Sequence, residues 1–141
     1  MTLREMDVRL PNDLSQMPAL VARLDSFAEA ADLSPKATHR LQLAVDEFVN
    51  NAVDYGYPDG RPGEIGVQVR CADDSVELTL SDDGDPFDPF TAPSPEIDGT
   101  LDERHIGGLG VHLIRTLARS FAYRRENGRN VVTLSLARDA A

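Results

Sequence analysis

Glu47 and Asn51 stand four residues apart in a stretch of helical periodicity, and side chains at that spacing face the same way. A carboxylate and a carboxamide so placed can share a water or a magnesium ion, which takes hard oxygen ligands and keeps several of its waters. At neutral pH the carboxylate is ionised and can take a proton from a hydroxyl within hydrogen-bond reach. Asn50 is the neighbouring rival, but it points about a hundred degrees further from the apolar side of the helix, so Asn51 is the favoured ligand. By themselves the two residues also fit an ordinary solvated helix face. Asp82-Asp83-Gly84 closes a strand. A carboxylate held there can accept a hydrogen bond from the exocyclic amino group of adenine, with Gly84 leaving room for the base; a plain Asp-Gly turn is the rival reading. Strand alternation turns Asp83 the other way. Gly107-Gly108-Leu109-Gly110 opens a helix, whose N-terminal N–H groups are ready phosphate ligands; a flexible hinge is the alternative. Together the three segments describe a nucleotide site. The glycine spacing is not that of a dinucleotide-binding fingerprint, and neither a Walker sequence nor protein-kinase signatures occur.

The elements that must position these groups can be read from the same chain. Leu3 to Leu10 reads as a strand stopped by Pro11-Asn12-Asp13. Leu20, Val21, Leu24, Phe27 and Ala28 recur at helical spacing within Leu14 to Ala31. Ser34-Pro35 then gives an N-cap and first-turn proline to a second helix reaching about Tyr55, with Leu41, Ala44, Val45, Phe48 and Ala52 on one stripe. Glu47 and Asn51 border that stripe, where a side chain looks into a cleft. Glu64 to Cys71 and Val76 to Ser81 form a hairpin, and a second joins Phe121–Arg125 to Asn130–Leu136 through Asn127-Gly128. Leu109 to Ala118 is a short helix, and the irregular stretch before it, from about Pro86 to Ile106, reads as a lid. The expected fold is an α/β (α+β) two-layer sandwich: a mixed, mostly antiparallel sheet with helices on one face.

Bulk properties narrow the partners. The 141 residues suit one domain spanning 1–141, and the net charge of −10 disfavours nucleic acid. No run is long and apolar enough to span a bilayer and the N-terminus lacks a signal-peptide pattern, so the expectation is a cytoplasmic protein with no membrane partner. Cys71, alone in the chain, reads as a packed thiol, and His39, His105 and His112 lack partners at metal-binding spacing.

In order, Glu47-x-x-x-Asn51-Ala52, Asp82-x-Gly84, Gly108-x-Gly110 and Gly128-x-Asn130 resemble the Bergerat-fold (GHKL, histidine kinase-like) ATPase superfamily, and within it the anti-sigma factor serine/threonine kinases. The resemblance implies ATP and magnesium as ligands, Asn51 as the magnesium ligand, Glu47 as the base and Asp82 at the adenine. It places Gly108 and Gly110 at the phosphates and adds Asn130 to the nucleotide-binding set. An arginine of the first helix contributes in some relatives, for which Arg23 is the nearest candidate. Where many members carry a histidine two residues before the residue matching Tyr57, this chain has Tyr55. The implied function is phosphorylation of a small STAS-type anti-sigma factor antagonist in a partner-switching pathway, with a sigma factor and a second copy of the chain as further partners. An alternative is a non-catalytic module that responds to ATP and sequesters a regulatory partner. A histidine-kinase fragment would need a phosphoacceptor helix, for which nothing before Leu14 is long enough, and a DNA-linked ATPase would need a transducer domain.

Overall fold

The structure is a computed structural model that describes residues 4–91 and 109–138. Its elements run β1 (Arg4–Pro11), a short 3-10 turn (Leu14–Gln16), α1 (Met17–Ala30), α2 (Pro35–Gly56), β2 (Glu64–Cys71), β3 (Ser75–Asp82), α3 (Leu109–Leu117), β4 (Ser120–Glu126) and β5 (Arg129–Ala137). The strands form one sheet in the order β1-β2-β3-β5-β4, and every pairing is antiparallel. The sheet is therefore fully antiparallel among the described residues, where a mixed but mostly antiparallel one was expected. Hairpins join β2 to β3 and β4 to β5, while β1 reaches β2 through α1 and α2 and still pairs with it antiparallel.

Period-two burial builds the inner face. Ile65, Val67, Val69 and Cys71 of β2, Val76, Leu78 and Leu80 of β3, and Val132, Leu134 and Leu136 of β5 are all buried. Leu20, Leu24 and Phe27 of α1, Leu41, Val45 and Phe48 of α2 and Ile114 of α3 join the same core. Thus the helices cover one face of the sheet, as the sequence predicts.

Local chemistry sets the ends of α2, the helix that matters most. Ser34 accepts a hydrogen bond from the Ala37 amide at 3.0 Å, and Pro35 occupies the first turn, where its missing N–H costs nothing. At the other end Pro58 disfavours helical backbone in the residue before it, and α2 stops at Gly56. The first predicted helix is split, because Asp13 caps a 3-10 turn through the Ser15 amide before α1 begins at Met17. Asn127 and Gly128 both take positive φ, 53° and 75°, as a two-residue turn between β4 and β5 requires.

Candidate nucleotide-binding site

Burial of polar groups locates the site. Among the described residues the buried polar or charged side chains are Glu47, Asn51, Asp82 and Asn130, exposed by 8%, 5%, 8% and 3%. Burying such groups is costly unless each is satisfied by a partner or kept for a ligand. The four residues are the carboxylates and carboxamides that the motifs single out.

Asp82 and Asn130 owe their burial to the sheet. Asp82 continues the inward series Val76, Leu78, Leu80 along β3, and Asn130 continues Leu136, Leu134, Val132 along β5. The register sets the two residues opposite each other. Asn130 Nδ2 donates to Asp82 Oδ1 at 2.9 Å and to the Asp85 carbonyl at 2.7 Å. Its Oδ1 accepts from the Tyr123 hydroxyl at 2.6 Å and from the Phe87 amide at 3.2 Å. Two donors and two lone pairs are thereby all engaged within the protein. Asn130 thus holds the segment after β3 in place and orients Asp82, rather than offering a free group to a nucleotide.

Asp82 Oδ1 also accepts from the Gly84 amide at 2.9 Å, and no described residue donates to Oδ2. Burial pushes the Asp82 carboxyl above its usual range, and the hydrogen bonds from Asn130 and Gly84 oppose that shift. A carboxylate fixed through one oxygen, with the other available, can accept from the amino group of a base. Gly84 has a structural reason of its own: an added Cβ would lie 2.6 Å from the Gly56 carbonyl oxygen and 2.7 Å from its Cα. The glycine lets the end of α2 lie directly on the loop, and Asp85 N–H donates to the Gly56 carbonyl at 2.7 Å.

Asn51 projects from α2 into the cavity that Asp82 and Asn130 also line. Its carboxamide makes no hydrogen bond with any described residue, so a deeply buried hard-oxygen group is left for a ligand. This is the property that a magnesium ligand needs. Asn50, by contrast, turns back on its own helix and donates to the Asp46 carbonyl at 2.7 Å. Asn51 is therefore the residue at the cavity, as expected.

Glu47 lies one turn before Asn51, and its carboxylate abuts the start of α3. A Cβ on Gly110 would stand 2.1 Å from Glu47 Cδ and Oε1, so glycine is what allows that approach. The positive end of the helix dipole favours a carboxylate there. Leu109 opens α3; Gly107 and Gly108, together with most of the expected lid and His105, lie outside the described residues.

Arg23 is not brought to this site. It stands on the outer side of α1 and lines a groove of about 430 Å³ against β1, with Val8, Leu10 and Leu20. Helical geometry explains this, since the buried Leu20 and Leu24 commit the inner face of α1 and turn Arg23 outward. The groove is roomier than the cavity at Asp82, yet three of the four buried polar groups, Asn51, Asp82 and Asn130, line the latter.

Several fastenings escaped the motif reading. Asp83, exposed on the opposite side from Asp82, accepts a hydrogen bond from the Tyr57 hydroxyl at 2.5 Å and another from the Glu64 amide at 3.0 Å. The Tyr57 bond holds the Asp83 carboxyl below its usual range, while burial, then Asp83, pushes the Tyr57 phenol up. Arg61 bridges Asp85 at 2.8 Å and Arg125 donates to the Gly84 carbonyl at 2.8 Å, so the loop is tied from both sides. An available signal was Gly63, where an added Cβ would lie 2.1 Å from the Tyr57 ring.

Comparisons with known proteins agree with the fold. The profile of the histidine kinase-like ATPase domain matches residues 10–136. The chain is 33% identical over 102 residues to the serine/threonine-protein kinase BtrW of Bordetella bronchiseptica, covering 72% of each chain. It is 34% identical over 121 residues to the serine-protein kinase RsbW of Bacillus velezensis, covering 79% of this chain and 72% of the relative. The crystal structure of the RsbU and RsbW domains of a Mycobacterium tuberculosis protein superposes with a TM-score of 0.65 at 21% identity, covering 96% of this chain but only 33% of that one. The histidine kinase domain of a blue-light activated histidine kinase from Erythrobacter litoralis superposes with a TM-score of 0.56 at 19% identity, covering 84% of this chain and 61% of that one. With its Bergerat-type motifs on a five-stranded antiparallel sheet and relatives that are serine-protein kinases, the chain belongs to the histidine kinase-like ATPase domain family.

Proposed function

We propose that the protein is an ATP-dependent serine/threonine kinase acting as an anti-sigma regulatory factor, which phosphorylates a small STAS-type anti-sigma factor antagonist in the cytoplasm. The observation that carries this reading is the convergence of Asp82, fixed through one oxygen, and Asn51, buried and with a carboxamide that bonds to none of the described residues, on one cavity of a histidine kinase-like ATPase fold. Asp82 selects adenine by accepting from its amino group. The backbone at the start of α3, with Gly110, faces the phosphates. Asn51 would hold magnesium together with the phosphates, and that ion supplies neutralisation of the charge on the transferring group. Glu47 takes the proton of the acceptor hydroxyl as the serine oxygen bonds to the γ-phosphorus. The bond from that phosphorus to the β–γ bridging oxygen breaks and ADP leaves. Positioning and electrostatics do most of the work, as in phosphoryl transfer generally.

The test is transfer of label from γ-labelled ATP to a STAS-type antagonist, with Glu47→Gln beside the wild type. Loss of transfer by about 100-fold or more, with ATP binding retained, is expected of a general base. Undiminished transfer would remove Glu47 from the mechanism. Absence of transfer by the wild type, with ATP and antagonist both bound, would leave an ATP-responsive module that sequesters its partner.

A further inference from the structure

The nucleotide cavity is small, and one of the rings that wall it is stacked on a second from outside. Its volume is about 20 Å³, room for one water molecule, whereas small-molecule sites generally span hundreds of cubic ångströms. Phe87, from the segment after β3, forms part of its wall. The Phe87 ring lies flat on Tyr55, with centroids 4.5 Å apart and planes inclined by 15°. Tyr55 sits one turn beyond Asn51 on α2, on the same side of the helix, and is 46% exposed. Its ring contact with Phe87 explains why a large aromatic is kept at a half-open helix end.

We propose that Tyr55 and Phe87 form an aromatic gate over the base-binding cavity, with Tyr55 as the positioning residue that holds Phe87 closed. The backbone around Phe87 is anchored independently of the gate. Asn130 holds the Phe87 amide, Arg61 and Arg125 tie Asp85 and Gly84, and Phe90 packs edge-on against Phe48 at 5.7 Å. The ring can therefore swing off Tyr55 about its own side-chain bonds while Asp82 stays oriented. A purine and the closed Phe87 ring compete for the same space. The stack must break before a nucleotide enters, and apparent affinity is reduced in proportion to the fraction of molecules that are open.

This inference rests on the nucleotide-site reading and makes a prediction opposite to simple loss of a structural contact: removing Tyr55 tightens binding. The experiment is stopped-flow binding of mant-ATP, a fluorescent ATP analogue, with magnesium, to the full chain. Wild type, Tyr55→Ala, Tyr55→Leu and Tyr55→Phe are compared, each checked for folding by circular dichroism. An aromatic stack of ordinary strength corresponds to roughly 2- to 13-fold in an equilibrium. Tyr55→Ala and Tyr55→Leu are expected to associate faster by about that factor, with unchanged dissociation and correspondingly lower Kd, while Tyr55→Phe behaves as wild type. Saturable wild-type binding with equal or slower association in the Ala and Leu variants would overturn the gate alone. No binding by any folded variant would overturn the nucleotide-site reading, and the gate with it.

Discussion

Replacing Asn130 by alanine removes four hydrogen bonds from one 3%-exposed side chain and separates the site's geometry from its sequence motif. One lost bond serves a buried carboxylate, and charge-assisted bonds of this kind contribute about 1.5–3 kcal/mol. The other three, to Asp85, Phe87 and Tyr123, are partly buried, so water can replace them in part. The expected total is about 3–5 kcal/mol of folding stability, measured by chemical denaturation at neutral pH. Binding should suffer as well. Asn130 is the strongest of the groups that lower the Asp82 pKa, so its removal lets burial raise that pKa further. A protonated Asp82 no longer presents an ionised acceptor, and ATP affinity of the variant should fall towards acid pH at a higher pH than in the wild type. Denaturation that moves by less than about 1 kcal/mol, with ATP affinity and its pH profile unchanged, would refute a positioning role for Asn130.

Gly110→Ala should push the Glu47 carboxylate aside, because the new methyl would stand 2.1 Å from Glu47 Cδ and flexible side-chain atoms give way more readily than backbone. Helix propensity favours alanine, so thermal stability should change by less than about 1 kcal/mol while phosphoryl transfer drops at least 10-fold in a labelled-ATP assay. Tyr57 and Asp83 make stability pH-dependent at both extremes. The raised Tyr57 pKa means that its contribution is complete below its ordinary value of 10.0 and is lost as pH rises towards the folded value. The lowered Asp83 pKa means that its contribution is complete above 3.8 and is lost as pH falls through the folded value. Tyr57→Phe should flatten the alkaline limb of a stability–pH curve, and retention of that limb would show that another group titrates there.

How much of this was legible depended on whether the determining contact was local. The ends of α2 were readable because Ser34 caps through an amide three residues on, and the inner face of β3 because burial there follows a period of two. Asn51 could be preferred to Asn50 from helical angle alone, and Asp83 could be turned away from Asp82 by strand alternation. The role of Asn130 was not readable, since its partners Asp82, Asp85 and Phe87 lie more than forty residues away in sequence and meet it only through the β3–β5 register. Gly84 was read as room for the base and Gly110 as part of a phosphate-binding helix start, but the atoms closest to a side chain at either belong to Gly56 and Glu47. Arg23 was offered by analogy without a register, and two buried leucines on its own helix turn it away from the cavity.

The most direct test of the central claim is calorimetric titration of Mg-ATP into the wild type and into Asp82→Asn. Asparagine keeps the shape but removes the ionised acceptor, and a charge-assisted hydrogen bond of ordinary strength is equivalent to about 10- to 150-fold in affinity. Saturable binding by the wild type, weakened by a factor in that range in folded Asp82→Asn, is the predicted result. Absence of wild-type binding at millimolar ATP, or identical affinities for the two proteins, would contradict an adenine site at Asp82.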